Sequence, residues 1–353
     1  MGYLYRKPPR AARAEVDTFF RMTIAHERAL AARLLCVGFA GAAIDDDLRE
    51  MLGAGVAGVV VFARNATTRA DCAALSANIK REARRLGNPG VFVAVDHEGG
   101  RVVRLGEGMT KVAPMREVGA LGEAEAARIG ELFARELRAA GVDLDFAPVV
   151  DVDSNPANPV IGDRSFARDA SRVGACAGAF IRAMQGQGVA ACAKHFPGHG
   201  DTDLDSHFKL PRLAHSMARL REVELPPFAA SVAAGVASVM TAHVVFDALD
   251  SGTPATMSHK LIDGILRREL GYDGVVFSDD LEMAAIADRM GIGEGAVRSV
   301  AAGVDCVLVC HKADRQREAI DALTKALVDG TLAHARVEQA AVRLDLLRAR
   351  FVR

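Results

Sequence analysis

The segment from Lys194 to His207, KHFPGHGDTDLDSH, carries the densest set of reactive side chains in the sequence. It holds three histidines and three aspartates, while one proline and two glycines restrict or free its backbone. Such a loop can hold its side chains along a defined path. We nevertheless expect the part from Phe196 to Ser206 to be mobile, because its glycines leave the backbone free and its residues look too polar to pack.

Three interpretations of this segment remain open from the residues alone. Imidazole and carboxylate together suit zinc, iron or manganese. A second interpretation pairs Asp205 with His207, with the carboxylate orienting the imidazole as a general acid/base requires. The third is an ordered, hydrogen-bonded surface loop. The metal interpretation would draw its ligands from His195, His199, Asp201 and His207.

A second segment, GVVFSDDLEM, begins at Gly274 and delivers Asp279 to the end of an apolar run. A carboxylate in that place can act as a nucleophile, a base or a metal ligand. Asp280 and Glu282 are less favoured. We expect them to lie at the start of the next helix, where acidic residues suit the helix dipole.

Fixed arginine and aspartate side chains in two further segments suit the binding of hydroxyl groups. DHEGGR runs from Asp96 to Arg101, and NPVIGDRSF contains Arg164. A buried, well-aimed hydrogen bond discriminates between ligands more strongly than apolar contact does. Neither segment has the residue order of a phosphate-binding loop.

The elements that must position these residues are short apolar runs that alternate with longer segments of helical spacing. The runs are nearly all apolar, as expected for parallel strands that are covered on both faces. Eight strands are predicted: Leu34 to Phe39, Gly58 to Phe62, Val91 to Val95, Leu144 to Pro148, Val189 to Lys194, Ala237 to Ala242, Gly274 to Ser278 and Val304 to Val309.

A helical pattern follows each strand, and this order predicts an α/β fold, a single-domain (β/α)8 TIM barrel. A doubly wound open sheet is the competing fold. The helices are predicted at Asp45 to Leu52, Thr68 to Arg85, Glu123 to Ala140, Asp169 to Gln187, Met217 to Ala234, His259 to Glu269, Glu294 to Ala302 and Ala313 to Val328, with a last helix at Ala335 to Arg350. We expect residues 1–30 to form an N-terminal extension and residues 31–353 to form the barrel.

The active site of such a barrel lies at the carboxyl ends of its strands. The residues that follow the apolar runs here are rich in Asp, His and Arg, whereas an ordinary solvated rim offers mostly Lys, Glu, Ser and Gly. The sequence therefore predicts one convergent site.

Composition limits the class of partner. Half of the 353 residues are hydrophobic, and 44 Lys and Arg nearly balance 45 Asp and Glu. This excludes a disordered chain and removes the strong basic field typical of nucleic-acid or anionic-membrane binding. The six cysteines show no CxxC pattern. We expect a cytoplasmic protein that acts on a small molecule or an oligosaccharide, without a cofactor, a bound metal, a nucleic acid or a membrane as partner. The oligomeric state is left open.

Taken together, these segments resemble the bacterial β-N-acetylglucosaminidases of glycoside hydrolase family 3, the NagZ group. The fourteen residues from Lys194 to His207 match the diagnostic motif of that group at every position. FSDDLEM is similar to its nucleophile segment, DHEGGRVVR to its DQEGGRVxR segment, and NPVIGDRSF to its substrate-arginine segment. One departure is His97, where the family usually has Gln.

The resemblance implies Asp279 as the catalytic nucleophile and the dyad of Asp205 and His207 as the general acid/base. It implies a retaining exo-β-N-acetylglucosaminidase that works by double displacement, with cell-wall fragments as the suggested substrate. A barrel that fills the chain leaves no second domain to supply an acid, so the acid must be internal. The residues implied to bind the sugar are Asp96, Arg101, Arg164, Lys194 and His195.

Other functions remain open at this point. A phosphorylase would use phosphate instead of water to release the sugar. A metal-dependent barrel hydrolase would use the histidines of the Lys194 to His207 segment as ligands. A sugar-binding protein without turnover is the third alternative.

Overall fold

The structure is a computed structural model that describes residues 24–88, 90–206 and 209–353. Most of the predicted N-terminal extension, residues 1–30, therefore lies outside the described residues, and so does His207.

Within the described residues, eight parallel strands close into a barrel in the order β1-β10-β9-β7-β5-β4-β3-β2. The closed sheet confirms the predicted (β/α)8 barrel and excludes the doubly wound open sheet. The barrel strands are β1 (Leu35–Val37), β2 (Gly58–Val61), β3 (Phe92–Val95), β4 (Leu144–Asp145), β5 (Ala190–Phe196), β7 (Ser238–Thr241), β9 (Val275–Asp280) and β10 (Cys306–Val309). Two short strands, β6 (Arg212–Leu213) and β8 (Val245–Phe246), pair with each other beside it.

The apolar runs form these strands because both faces of the sheet are covered. Every residue of β2, β3 and β10 is buried, as a parallel sheet with an outer layer of helices requires. Adjacent β-branched residues stand side by side in the register, for example Val59 beside Val93 and Val61 beside Val95. Branched side chains fill the pleated surface well.

Two strands run further than their apolar residues predict. Strand β5 continues through His195 to Phe196, and β9 continues to Asp280. The expectation that Asp280 lies at the start of a helix is therefore wrong. The sheet's hydrogen bonds continue past the apolar run, because the polar side chains there find partners inside the barrel mouth.

Helices or helical turns follow the barrel strands, and long loops come first after β3, β4 and β5. The helices are α1 (24–32), α2 (Asp46–Ala54), α3 (Arg69–Arg85), α4 (Met115–Leu121), α5 (Glu123–Ala139), α6 (Ala170–Gly186), α7 (Met217–Arg219), α8 (Leu225–Ala233), α9 (Asp247–Asp250), α10 (Ala284–Ala287), α11 (Ile292–Ala302), α12 (Ala313–Val328) and α13 (His334–Phe351).

The predicted helix from Met217 to Ala234 is interrupted by a π-helical stretch, Leu220–Glu224, before α8 begins. Pro226 and Pro227 lack backbone N–H groups, so the regular hydrogen-bond pattern cannot run across them. The predicted helix from His259 to Glu269 is also π-helical, over Lys260–Glu269.

Helix α1 joins the outer layer of the barrel. Glu27 contacts His334 of α13 at 3.0 Å between Oε2 and Nε2. Next to the helix, Arg33 forms two hydrogen bonds of 2.8 and 2.9 Å with Asp345. The predicted boundary at residue 30 falls inside this helix.

No helix in residues 24–88, 90–206 or 209–353 combines the length and the hydropathy needed to cross a lipid bilayer.

Candidate active site

A cavity of about 280 Å³ opens at the carboxyl ends of the barrel strands. It brings together seven of the eight predicted site residues, although they come from four separate stretches of chain. Those that line it are Asp96, Arg101, Arg164, Lys194, His195, Asp205 and Asp279. The eighth, His207, is not among the described residues.

Four charged side chains form one wall of this cavity, which we call the ion cluster: Asp96, Glu98, Arg164 and Lys194. The Nζ atom of Lys194 lies 2.8 Å from Asp96 Oδ1 and 2.6 Å from Glu98 Oε1. The guanidinium of Arg164 binds both oxygens of Glu98, each at 2.8 Å. Two cations and two anions thus compensate one another inside the barrel mouth.

The mutual contacts keep the buried groups Lys194 and Glu98 charged. Burial by itself would lower the pKa of Lys194, but the carboxylates of Asp96 and Glu98 outweigh it and raise that pKa. Burial would raise the pKa of Glu98, but Arg164 and Lys194 together lower it below its ordinary range. The wall is therefore a fixed set of charges, which suits the alignment of sugar hydroxyls.

The ring of His195 is oriented by Asp151, a buried carboxylate in the loop that follows β4. Nδ1 of His195 lies 2.7 Å from Asp151 Oδ2. Asp151 also accepts the backbone N–H groups of His195 and His199. Burial would raise the pKa of Asp151, but His195 and these hydrogen bonds lower it. The carboxylate therefore fixes both the ring and the start of the loop after β5.

Arg101 and Arg104 both line the cavity, but they differ in what they bind. Arg101 donates to Asp163 Oδ1 at 2.8 Å and to the carbonyl of Val160 at 2.6 Å. Arg104 approaches Asp96 only to 3.6 Å. Arg104 also lines the cavity, and this longer separation leaves its Nη donors available to a ligand, which we did not expect from the sequence.

Three residues of this site were missed or set aside in the sequence analysis. The sequence assigns no role to Glu98 or Asp151, because nothing local to them shows which cation or ring they contact. Arg104 stands three residues after Arg101. The path of the turn between them decides which one reaches the ion cluster.

Strand β9 ends in two adjacent carboxylates with different surroundings. Asp280 accepts the backbone N–H groups of Glu282 and Cys310 and lies 3.1 Å from His311 Nε2. Asp279 lines the cavity, and its Oδ1 accepts the backbone N–H of Asp280 at 2.8 Å. Asp280 therefore holds the end of β9 to the residues that follow β10.

His243 fixes the peptide group next to Asp279 from the side of β7. Its Nε2 lies 3.0 Å from the carbonyl oxygen of Asp280, and its Nδ1 lies 2.8 Å from the hydroxyl of Thr256. Burial lowers the pKa of this completely buried imidazole. A neutral ring can donate to the carbonyl through Nε2 and accept from Thr256 through Nδ1.

His97 stands where the NagZ group usually has glutamine, and it does not line the cavity. Its ring packs edge-on against Phe133 with the ring centroids 4.9 Å apart. Both ring nitrogens lack a hydrogen-bond partner among the described residues. Burial lowers the pKa of His97 to about 4, so the ring is neutral at neutral pH.

The first part of the loop after β5 is buried and closely packed. Residues 197–200 are all buried. A Cβ atom added to Gly200 would lie 1.7 Å from the carbonyl oxygen of Val152, so only glycine fits there. The expectation that these residues are too polar to pack is therefore wrong for residues 197–200, and the mobility of the loop stays a prediction. The polar groups of this part of the loop are satisfied internally.

The described histidines of this loop are engaged in hydrogen bonds. Both ring nitrogens of His199 contact hydroxyl groups, at 2.8 and 3.0 Å. The carboxylate of Asp201 lies 2.9 Å from His215 Nε2. Within the ranges 24–88, 90–206 and 209–353, no group of three or more His, Cys, Asp or Glu side chains is arranged to hold a metal ion.

Sequence comparisons point to one family. The family model of the glycosyl hydrolase family 3 N terminal domain matches residues 29–347. A β-hexosaminidase from Thiobacillus denitrificans is 42% identical over 274 residues, which cover 76% of this chain and 75% of that protein. A β-hexosaminidase from Neisseria meningitidis serogroup C is 40% identical over 278 residues, with the same two shares covered.

Solved structures agree with this result. A glycoside hydrolase family 3 β-N-acetylglucosaminidase from Paenibacillus sp. str. FPU-7 superimposes with a TM-score of 0.89 at 43% identity, covering 92% of this chain. The chain spans 62% of the length of that Paenibacillus protein. NagZ from Neisseria gonorrhoeae, in complex with N-trifluoroacetyl-D-glucosamine, gives a TM-score of 0.74 at 33% identity, covering 89% of this chain and 97% of NagZ.

Proposed function

Because this chain belongs to glycoside hydrolase family 3 and is a β-N-acetylhexosaminidase, we propose that it removes terminal β-linked N-acetylglucosamine with retention of anomeric configuration. The observation that carries the proposal is the cavity itself. Asp279, in β9, and Asp205, in the loop after β5, both line it, and the ion cluster lines it as well. The proposed nucleophile, one member of the proposed acid/base dyad and charged groups suited to hydroxyls thus border one space, which supports the proposal.

In the first proposed step, the carboxylate of Asp279 attacks the anomeric carbon. The bond from that carbon to the leaving oxygen breaks, and the imidazole of His207 gives its proton to this oxygen. The products are a covalent glycosyl-enzyme and the released aglycone. We assign the acid role to His207 from its sequence position two residues after Asp205.

In the second step, water attacks the same carbon and His207 takes its proton. The bond to Asp279 breaks, which restores the carboxylate and releases the sugar in its original configuration. Each proton transfer contributes roughly 10² to 10⁴ in rate. A histidine suits both directions of transfer, since its ordinary pKa of about 6.5 lies near neutrality.

For binding of the terminal sugar, we propose Asp96, Arg164, Lys194 and His195. The geometry favours Arg104 over Arg101 as the second arginine, beside Arg164, that binds this sugar. The donors of Arg101 are directed to Asp163 and to the carbonyl of Val160, whereas Arg104 lines the cavity and approaches its nearest carboxylate, Asp96, only to 3.6 Å. We propose that Arg101 instead keeps the chain before Arg164 in place.

As natural substrate we propose a cell-wall muropeptide fragment, since relatives of the NagZ group match this chain along most of its length. We also propose a cytoplasmic location. The six cysteines are all unpaired and buried, which suits a reducing compartment. Fractionation of cells that produce the protein, followed by immunodetection, tests the location.

Proton NMR of the first product formed from a 4-nitrophenyl N-acetyl-β-glucosaminide tests the reaction. We expect the β-anomer of free N-acetylglucosamine before mutarotation. An α-anomer as first product would contradict the retaining mechanism. No turnover at all would favour the alternative of a sugar-binding protein. The same reaction run in phosphate buffer separates hydrolysis from phosphorolysis, because a phosphorylase would yield the sugar 1-phosphate.

A further inference from the structure

Four buried side chains form a continuous series of hydrogen bonds at the edge of the cavity, and we call it the loop relay: Asn158, Thr202, His199 and Ser206. Nδ2 of Asn158 donates to the hydroxyl of Thr202 at 3.2 Å. That hydroxyl lies 2.8 Å from Nδ1 of His199. Nε2 of His199 lies 3.0 Å from the hydroxyl of Ser206.

The loop relay joins two segments that the proposed mechanism uses separately. Asn158 belongs to the segment that carries Arg164, and its Oδ1 accepts the backbone N–H groups of Val160 and Ile161, both at 2.8 Å. Its Nδ2 also donates to the carbonyl of His199 at 2.9 Å. The same amide therefore ties the sugar-binding segment to the loop after β5.

At the other end, Ser206 stands between the two members of the proposed acid/base dyad. It directly follows Asp205 and directly precedes His207 in the sequence. Ser206 is 2% exposed and lines the cavity. A hydrogen bond that holds the Ser206 side chain therefore limits the positions that the Asp205 backbone can take.

The imidazole in the middle of the loop relay acts as a neutral link. Burial, with a further contribution from His195, lowers the pKa of His199 to about 4. A neutral ring has one donor and one acceptor nitrogen, and the two hydroxyls match both. Its buried polar atoms are thus satisfied, which makes the relay rigid.

We propose that His199 and Thr202 are positioning residues that fix Ser206, and with it Asp205, so that the general acid is presented at the leaving oxygen. This inference rests on the proposed retaining mechanism. Proton transfer requires the donor within hydrogen-bond distance of the leaving oxygen, so a loosened loop impairs this transfer first. The attack by Asp279 from β9 does not depend on the relay.

This difference gives the relay a measurable signature. A leaving group that departs as a stable anion needs little protonation, whereas a poor leaving group depends on it. A loosened relay should therefore lower kcat/KM strongly for phenyl N-acetyl-β-glucosaminide and weakly for the 2,4-dinitrophenyl analogue. A general loss of folded enzyme would lower both values equally.

The variants to compare are Thr202→Val, which removes the hydroxyl and keeps the shape, and Thr202→Ser, which keeps the hydroxyl. We expect Thr202→Val to lower kcat/KM for the phenyl substrate about 10- to 100-fold, and for the dinitrophenyl substrate by less than about threefold. Thr202→Ser should recover most of the loss. Ser231→Ala removes another fully buried hydroxyl, which donates to the carbonyl of Pro227 in α8, and serves as the control.

Equal losses on the two substrates, or no loss on either, would overturn the positioning role. The same holds if Thr202→Ser behaves like Thr202→Val. If Thr202→Val does not fold, the pair Ser206→Ala and Ser206→Thr provides the same comparison at the other end of the relay. A wild-type protein that fails to hydrolyse either substrate would contradict the proposed function itself, so the two failures are distinguishable.

Discussion

The two walls of the cavity are held by opposite kinds of interaction. One wall is the ion cluster, which joins residues after β3 and in β5 to Arg164 from the loop after β4, and in which ionised groups compensate one another. The wall formed by the loop after β5 is held by hydrogen bonds between neutral side chains, with His199 at their centre. Lys194 of the ion cluster lies in strand β5 and Asp96 directly follows β3, whereas the residues of the other wall are attached to the barrel through a loop.

This contrast separates two kinds of sensitivity. Removing one partner of a buried ion pair leaves the other charge uncompensated and costs about 3–5 kcal/mol of folding free energy. Removing one neutral hydrogen bond costs about 1 kcal/mol. We therefore expect changes in the ion cluster to affect stability most, and changes in the loop wall to affect proton transfer more than stability.

The largest expected effect is that of Asp279→Ala, which removes the proposed nucleophile. We expect kcat to fall about 10⁴-fold or more for every leaving group, because the first step then has no attacking atom. His207→Ala should instead spare glycosylation from an activated aryl glycoside and fail on a poor leaving group. Steady-state kinetics with both substrate types measure the difference, and equal losses for His207→Ala would argue against its acid role.

Next comes Glu98→Gln, which removes one anion from the ion cluster. We expect a loss of about 3–5 kcal/mol in the free energy of unfolding, because Arg164 and Lys194 then share a single remaining carboxylate. Urea denaturation measures it. Glu125→Gln, at an exposed pair with Arg128 on α5, is the control and should change stability by less than about 1 kcal/mol. A result for Glu98→Gln as small as the control would show that the cluster is not a stabilising unit.

The pair Arg104→Ala and Arg101→Ala tests which arginine meets the sugar. We expect Arg104→Ala to lower kcat/KM about 10- to 100-fold, as the loss of a charged hydrogen bond to substrate would. Arg101→Ala should have a smaller effect, because its donors bind the chain near Val160. The reverse order of effects would restore Arg101 as the sugar ligand.

The smallest effect concerns pH and His97. Burial lowers the pKa of His97 to about 4, below about 6.5 in the unfolded chain. The unfolded state therefore binds more protons between these values, and stability falls as the pH falls. This histidine should account for about 1 kcal/mol of loss between pH 6 and pH 5.

His97→Gln removes the titrating group and should flatten that part of the stability curve without changing kcat, since His97 does not line the cavity. Urea denaturation at pH 5, 6 and 7 compares the variant with the wild type. An unchanged pH dependence would mean that His97 does not titrate in this range on unfolding.

Much of the fold could be predicted from the sequence, because a strand that is buried on both faces is a short, continuous run of apolar residues. An apolar run such as Val59 to Val61 predicts a strand of a parallel sheet that helices cover on both faces. The alternation of such runs with segments of helical spacing gives the number of βα units. The ends of β5 and β9 were placed too early, because His195 and Asp280 look like loop residues until their partners in the barrel mouth are known.

The sequence by itself determined the order of the barrel strands and of most helices, the family, and seven of the residues that line the cavity, since each is recorded in spacing and residue type along the chain. The tertiary structure alone decided that Arg104 faces the ion cluster, that Asp280 is held by its neighbours, and that His199 is a neutral link. These outcomes depend on contacts between residues far apart in the chain. No local sequence pattern shows which distant residue will form a given hydrogen bond.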